Sequence, residues 1–163
     1  MAYRLSTPLV GAQPIADTST TKNHPLGTIV KAEDSTYGEG EFIYLLGVAS
    51  TTVGNVVNYD AAGHQTALQS TAVGVDRPVA VAMSANVASQ YGWYQIGGLA
   101  VVKKASATSF AAAAPLGATT GLAVAAATSA RLSGAVVSAA ASGASAVLSA
   151  VVAIDRPAGA ISD

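Results

Sequence analysis

Two long uncharged stretches constrain this chain more than any other feature. Ala105 to Ala130 and Leu132 to Ile154 contain no Asp, Glu, Lys or Arg. After Lys104 the only charged residues are Arg131, Asp155, Arg156 and Asp163. A surface this short of charge lies either against lipid or against protein. Each stretch exceeds the roughly 20 residues a helix needs to cross a bilayer. Their content argues against crossing. Leu132 to Ile154 reads LSGAVVSAAASGASAVLSAVVAI, whereas spanning helices draw their insertion energy mainly from Leu, Ile, Phe and Val. The flanks lack clustered Lys/Arg and paired Trp/Tyr belts. The expectation is therefore burial against protein, with no membrane partner. The N-terminus, MAYRLSTPLV, shows no apolar signal region, so the chain reads as intracellular when made.

Half of the 163 residues are Ala (36), Gly (16), Ser (16) and Thr (14). Charged residues are 10%, against about 25% in ordinary soluble domains. Charge-driven disorder is excluded, because 51% of the chain is hydrophobic and the mean hydropathy is +0.44. With no Cys there is no disulfide scaffold and no thiolate metal or redox site. A net charge of −1 leaves no basic excess to neutralise phosphates, so no nucleic-acid partner is expected.

Residues 1–25 are polar and broken by Pro8, Pro14 and Pro25. They read as an extended N-terminal arm without helical periodicity. Residues 26–163 read as one β-rich domain. Strand candidates are Gly27–Lys31, Glu41–Val48, Val53–Tyr59, Gln65–Leu68, Val73–Val75 and Val79–Met83. Gly92–Ile96 and Leu99–Lys103 follow as two strands split by Gly97-Gly98. Pro115–Leu116, Leu122–Val124, Ala135–Val137 and Val147–Ile154 complete the set. Recurrence every 8–15 residues or so, with turn signals between, predicts a mainly β fold, a compact β-sandwich or small β-barrel. The Ala clusters favour helix by propensity, but Gly, Ser, Thr or Pro bounds each of them. At most one short helix is expected, near Ser106–Ala114. Val73 to Pro78 echoes Val152 to Pro157, each running from an apolar strand into Asp-Arg-Pro. The echo suggests two equivalent strand exits.

Titratable groups that could converge for catalysis are scarce. His24 and His64 sit beside turn residues without a metal-ligand spacing and read as solvated loop histidines. Glu33, Asp34, Glu39 and Glu41 form the one acidic concentration. It fits a solvated turn, a docking face for a basic partner or a loose cation site, but not a calcium loop. No nucleophile elbow, phosphate-binding loop or dinucleotide fingerprint is present. The chain reads as a non-enzyme with no cofactor and no metal. Lys103-Lys104 suits either the guard of an edge strand or contact with an acidic surface. Trp93 and Tyr94 suit either core packing or an interface anchor.

Tyr91-Gly92-Trp93-Tyr94-Gln95-Ile96-Gly97-Gly98, followed by Leu99–Lys103, resembles a segment of the head decoration, or capsid cement, proteins of tailed bacteriophages. Gly74-Val75, Ala80-Val81-Ala82, Ala113-Ala114-Pro115-Leu116 and Gly134–Val137 resemble the Ala-, Gly- and Val-rich repeats of that family. The likeness runs from about Leu26 to Ile161 and leaves out the Asp-Arg-Pro pair. It implies a mainly β virion protein, made in the host cytoplasm, on the outer surface of an expanded capsid. There it would bridge capsomers as a homotrimer, or in some relatives a dimer, with the major capsid protein as partner. It carries over no catalytic residue. Arg4, Arg77, Arg131 and Arg156 are the expected contacts to capsid carboxylates. Leu5, Pro8 and Lys22 would contribute from an arm reaching onto the capsid or a neighbouring subunit, and Trp93 and Tyr94 as anchors. The alternative is a fibre or adhesin-type binding module, with Tyr37, Tyr44, Tyr59, Tyr91, Trp93 and Tyr94 as a glycan platform. A small enzyme would need a pocket joining His64 to Asp60.

Overall fold

The structure, a computed structural model, describes residues 3–6, 11–70, 77–126, 131–143 and 149–161. Pro8, Val73–Val75 and Asp76 lie outside the described residues. The fold is all-β, with antiparallel sheets packed as a sandwich-like body. Among the described residues twelve strands follow in order: β1 (Arg4–Leu5), β2 (Thr18–Ser19), β3 (Ile29–Asp34), β4 (Gly38–Leu46), β5 (Val56–Tyr59), β6 (Thr66–Leu68), β7 (Val79–Ala82), β8 (Tyr91–Lys103), β9 (Leu116–Thr119), β10 (Leu122–Ala125), β11 (Arg131–Val137) and β12 (Ser149–Ile161). No helix occurs among the described residues, so none of them forms a helix long and apolar enough to cross a membrane. The short helix expected near Ser106–Ala114 is absent. Turns replace it, with Ala107 and Ala113 both at φ 61°. Without a stripe of large apolar residues, Ala propensity alone does not hold a helix.

The main sheet runs β1-β3-β4-β8-β7-β5-β6, and β8 is its spine. From Tyr91 to Gly97 it pairs with β4; from Gly97 to Lys103 it pairs with β12. The two strands expected on either side of Gly97-Gly98 are thus one strand. The glycines mark a bulge in it, not a break. The register with β4 shifts between Glu41 and Phe42. Gly98 takes φ 91°, and a Cβ there would lie 2.5 Å from the Glu39 carbonyl oxygen. Glycine permits that approach, and the bend hands the strand from one partner to the next. Gln95 braces the bend, its Nε2 donating to the carbonyls of Gly97 and Leu99, both at 3.0 Å.

Period-2 alternation sorts the core. Phe42 and Tyr44 of β4 and Trp93 of β8 face one side, beneath Ile15 and the partly buried Tyr3 and Leu5. Ile43, Leu45, Tyr94 and Ile96 face the other, against Val57, Ala80 and Ala82. Val56, Val79 and Val81, on the opposite face of β5 and β7, pack with Ala100, Val102 and the Ala/Val/Leu residues of β9 to β12. The charge-poor strands β9 to β12 are therefore packed into a core that they share with β5, β7 and β8.

Candidate functional site

The residues before β3 fold back on their own chain. Residues 11–24 form a strap across β4 and β8, with β1 pairing β3 and β2 pairing the start of β8. The expected outward reach of the arm gives way to this arrangement in the described residues. The reason is chemical: Ile15 is 3% exposed, and Gln13 is 7% exposed with every polar end matched. The Trp93 indole Nε1 donates to the Gln13 carbonyl at 2.9 Å. Gln13 Oε1 accepts from Asn23 Nδ2 (2.9 Å) and the Tyr44 hydroxyl (3.1 Å), while Nε2 donates to the Asp17 carbonyl (2.7 Å).

His24 closes the knot. Its Nε2 accepts from the Gln13 backbone N–H at 3.1 Å. Its ring lies 5.1 Å from the Tyr44 centroid and 5.4 Å from that of Trp93. The reading of His24 as a solvated loop residue is corrected: it is 8% exposed. His64, half-buried, folds over Gly27. Asp60 beside it caps its own turn, accepting from the Ala62 and Gly63 N–H groups at 3.1 and 2.9 Å. Those bonds hold the carboxyl below its ordinary range. The two form a turn, not a catalytic pair.

A charged rim lies elsewhere, and here the Asp-Arg-Pro echo becomes a contact. Pro78 bridges Ala158, the residue after Pro157. Asp155-Arg156-Pro157 is a bulge in β12 opposite Gly134, with Arg156 at φ 41°. The bulge aims the Arg156 guanidinium at Glu41 Oε2, 3.2 Å away. Arg156 also bears electrostatically on Tyr59, and Arg77 on Asp60. Two of the four arginines expected at an interface therefore flank consecutive residues, Tyr59 and Asp60. Across the β3–β4 hairpin Lys31 pairs with Glu39 at 3.0 Å. The acidic concentration is a hairpin: Asp34, 5% exposed, caps the turn by accepting from the N–H groups of Thr36 and Tyr37.

The other expected site residues are dispersed. Arg4 is exposed on β1 opposite Glu33, and with Leu5, Ser6 and Ser35 it lines an open depression of about 560 Å³. Leu5 is half-buried against the Phe42 cluster. Lys22 is exposed on the strap. Arg131 is exposed at the start of β11, in a groove of about 300 Å³ shared with Ala113, Pro115 and residues 132–136. Trp93 and Tyr94 are corrected as interface anchors, because both are 0% exposed within the chain. Tyr44 is likewise enclosed, and Tyr37, Tyr59 and Tyr91 are half-buried. These aromatics form no exposed glycan platform.

Lys103-Lys104 is also corrected as an edge guard. β8 is the most internally paired strand; Lys103 Nζ donates to Thr52 Oγ1, and Lys104 is 2% exposed with its Nζ unbonded. Sequence reasoning missed Gln13 altogether; a lone Gln before a Pro in a polar run carries no signal. No grouping of three or more His, Cys, Asp or Glu suited to a metal occurs among the described residues. No protein-family model matches the chain, and no curated protein matches it.

One surface differs from all of these. On β11 and β12 the outward residues are uncharged from Leu132 to Val137 and from Ser149 to Ile154. Val136, 43% exposed, stands in register with the exposed Ala153. Exposed Ala111, Ala112, Ala113, Ser138, Ala139 and Ala140 extend this uncharged surface in the adjoining loops.

Proposed function

We propose that this protein is a structural virion protein that binds the outer surface of an expanded phage capsid and cements neighbouring capsomers. It acts as a homotrimer, made in the host cytoplasm, with the major capsid protein as its partner. The single observation that carries this reading is the uncharged outward surface of Leu132–Val137 on β11 and Ser149–Ile154 on β12. The core beneath β11 and β12 is already filled by apolar side chains of this chain, from Val56, Val79 and Val81 of β5 and β7 to Val152 and Ile154 of β12. The missing charge on the outside is therefore not required by folding. Depletion of charge is the mark of the buried centre of a protein–protein interface, and small side chains allow close approach at little desolvation cost. The resemblance of Tyr91–Lys103 to decoration proteins supplies the partner.

The mechanism is mass action. A subunit that binds only the expanded lattice stabilises that lattice by its binding free energy. Symmetry repeats the contact many times, and linked copies gain avidity without strong single contacts. The charged rim of Arg77, Arg156, Glu41 and Asp60 stays solvated at the edge, where ion pairs direct orientation more than affinity.

The test is co-sedimentation of the full chain with expanded and unexpanded phage heads, after its mass in solution has been measured. Selective retention on the expanded heads by a trimeric protein is expected. A monomer that ignores both forms would sink the reading.

A further inference from the structure

The chain has four arginines, and three of them stand beside an acid. Arg4 is opposite Glu33, Arg77 acts electrostatically on Asp60, and Arg156 bonds Glu41. Arg131 is the exception. It is the only charged residue between Lys104 and Asp155. It is exposed, and neither ion pair among the described residues includes it. It stands at one end of the groove of about 300 Å³ that continues past Leu132 and Ala135 to Val136, with Ala113 and Pro115 on the far wall.

An unfinished strand edge makes this groove. One side of β11 is laddered to β12. On the other side Pro115 bridges Val136, the Val137 N–H donates to the Ala114 carbonyl at 3.0 Å, and the Ala113 N–H donates to the Val137 carbonyl at 2.9 Å. From Arg131 to Ala135 no bridge joins that side among the described residues. The register of β11 with β12 shifts twice in the same stretch, where Gly134 takes φ 69°. An edge bent in this way refuses a long strand and leaves room for a short segment. Leu132 and Ala135 are buried beneath it, while Pro115 and Val136 are exposed along it. The volume is at the small end for a binding pocket and suits one or two apolar side chains.

We propose that this groove receives a short segment of a partner protein, an apolar side chain beside an Asp or Glu, with the carboxylate on the Arg131 guanidinium. The cementing role supplies only the identity of that partner, the capsid protein. A wholly uncharged partner lying over this surface would strip water from Arg131 and give it no counter-charge, which is costly. An acid at that end removes the penalty, and the planar guanidinium matches a carboxylate with two parallel N–H donors. The apolar side chain leaves water for the groove. Arg131 remains at the rim, so the ion pair sets the direction of the segment more than its affinity.

The test is NMR of the full-length, isotope-labelled protein titrated with a capped Val-Leu-Ala-Asp peptide and its Asn counterpart. The backbone amides of Leu132 to Val136 should shift with both. The Asp peptide should bind about two- to fivefold more tightly, the range of an exposed ion pair. That preference should fade near 1 M salt, where the Debye length is about 3 Å. Arg131→Gln should abolish the preference and keep the affinity for the Asn peptide. Arg4→Gln, in the other open depression, should behave as wild type. Absent shifts in Leu132 to Val136, equal binding of the two peptides by the wild type, or a preference that persists in Arg131→Gln overturns the proposal. A solution mass altered by Arg131→Gln would assign the groove to contacts between copies of this chain and also overturn it. Peptide binding by a protein that ignores expanded heads would support the groove and sink the cementing role. Retention on heads without peptide binding would overturn the groove alone.

Discussion

The Trp93 indole and the Gln13 carbonyl, 80 residues apart in sequence, meet at 2.9 Å beneath the N-terminal strap. That bond belongs to a knot in which Gln13 uses its backbone and both ends of its amide. Gln13→Ala keeps the backbone bonds and removes those of the side chain. The buried Tyr44 hydroxyl then loses its short partner at 3.1 Å. Leaving such a group unsatisfied costs about 1–3 kcal/mol. Urea unfolding followed by Trp93 emission should show a lower midpoint by that amount, with an unchanged slope.

Two glycines at nearly the same φ should differ sharply in what they tolerate. Gly38 (φ 73°) turns the β3–β4 hairpin with nothing near its missing Cβ. Gly134 (φ 69°) faces the β12 bulge, where a Cβ would lie 2.5 Å from the Asp155 carbonyl oxygen. Gly38→Ala incurs only the left-handed conformational strain, about 1–2 kcal/mol. Gly134→Ala adds a backbone clash that cannot be relieved by a rotamer change, worth about 1–3 kcal/mol more. Comparing denaturation midpoints checks the order; equal losses would mean the bulge yields.

Tyrosine ionisation sets the alkaline limit. Burial, the dominant cause, pushes the Tyr94 hydroxyl up to about 12, with its neighbours Thr66 and Asn86 acting the other way. Burial also raises Tyr3, Tyr44 and Tyr59. A folded-state value above the unfolded 10 means the folded state keeps the proton longer. The contribution is thus complete below pH 10 and is lost as pH rises towards 12, since the unfolded chain ionises first. Absorbance at the phenolate band should show the Tyr94 phenolate forming only well above pH 10, together with loss of near-UV circular dichroism.

Strand positions were legible in the sequence because period-2 patterns and turn residues are local. Glu41–Val48 became most of β4, Val79–Met83 became β7, and Leu122–Val124 became β10. What failed was tertiary. Gly97-Gly98 looks like a break locally, yet the strand continues because a different partner, β12, waits beyond the bulge. Lys104 looks like surface, but strand alternation sets it on the same face as Ala100 and Val102. His24 reads as solvated, and Gln13 carries no signal, because the groups that bury them, Trp93 and Tyr44, lie 20 to 80 residues away. The Asp-Arg-Pro echo was visible as text, while the meeting of Pro78 with Ala158 was not.

The uncharged face of β11 and β12 gives the sharpest test of the cementing role. Val136 and Ala153 are cross-strand partners, both directed outward. Val136→Glu or Ala153→Glu plants one carboxylate on that face and leaves the core beneath, Val137 and Val152, untouched. In solution the added charge is hydrated, so the melting temperature should stay close to wild type, as for most surface changes. In a capsid contact it is desolvated without a partner, which costs several kcal/mol, and every 1.4 kcal/mol or so is a tenfold loss of affinity. Occupancy on expanded heads should therefore fall by about tenfold or more in each variant. Thr36→Glu, on the exposed turn of the charged β3–β4 hairpin, should bind as wild type does. Binding that survives both β11 and β12 changes but is lost in Thr36→Glu would move the capsid contact to the charged hairpin and reverse the orientation argued for the subunit.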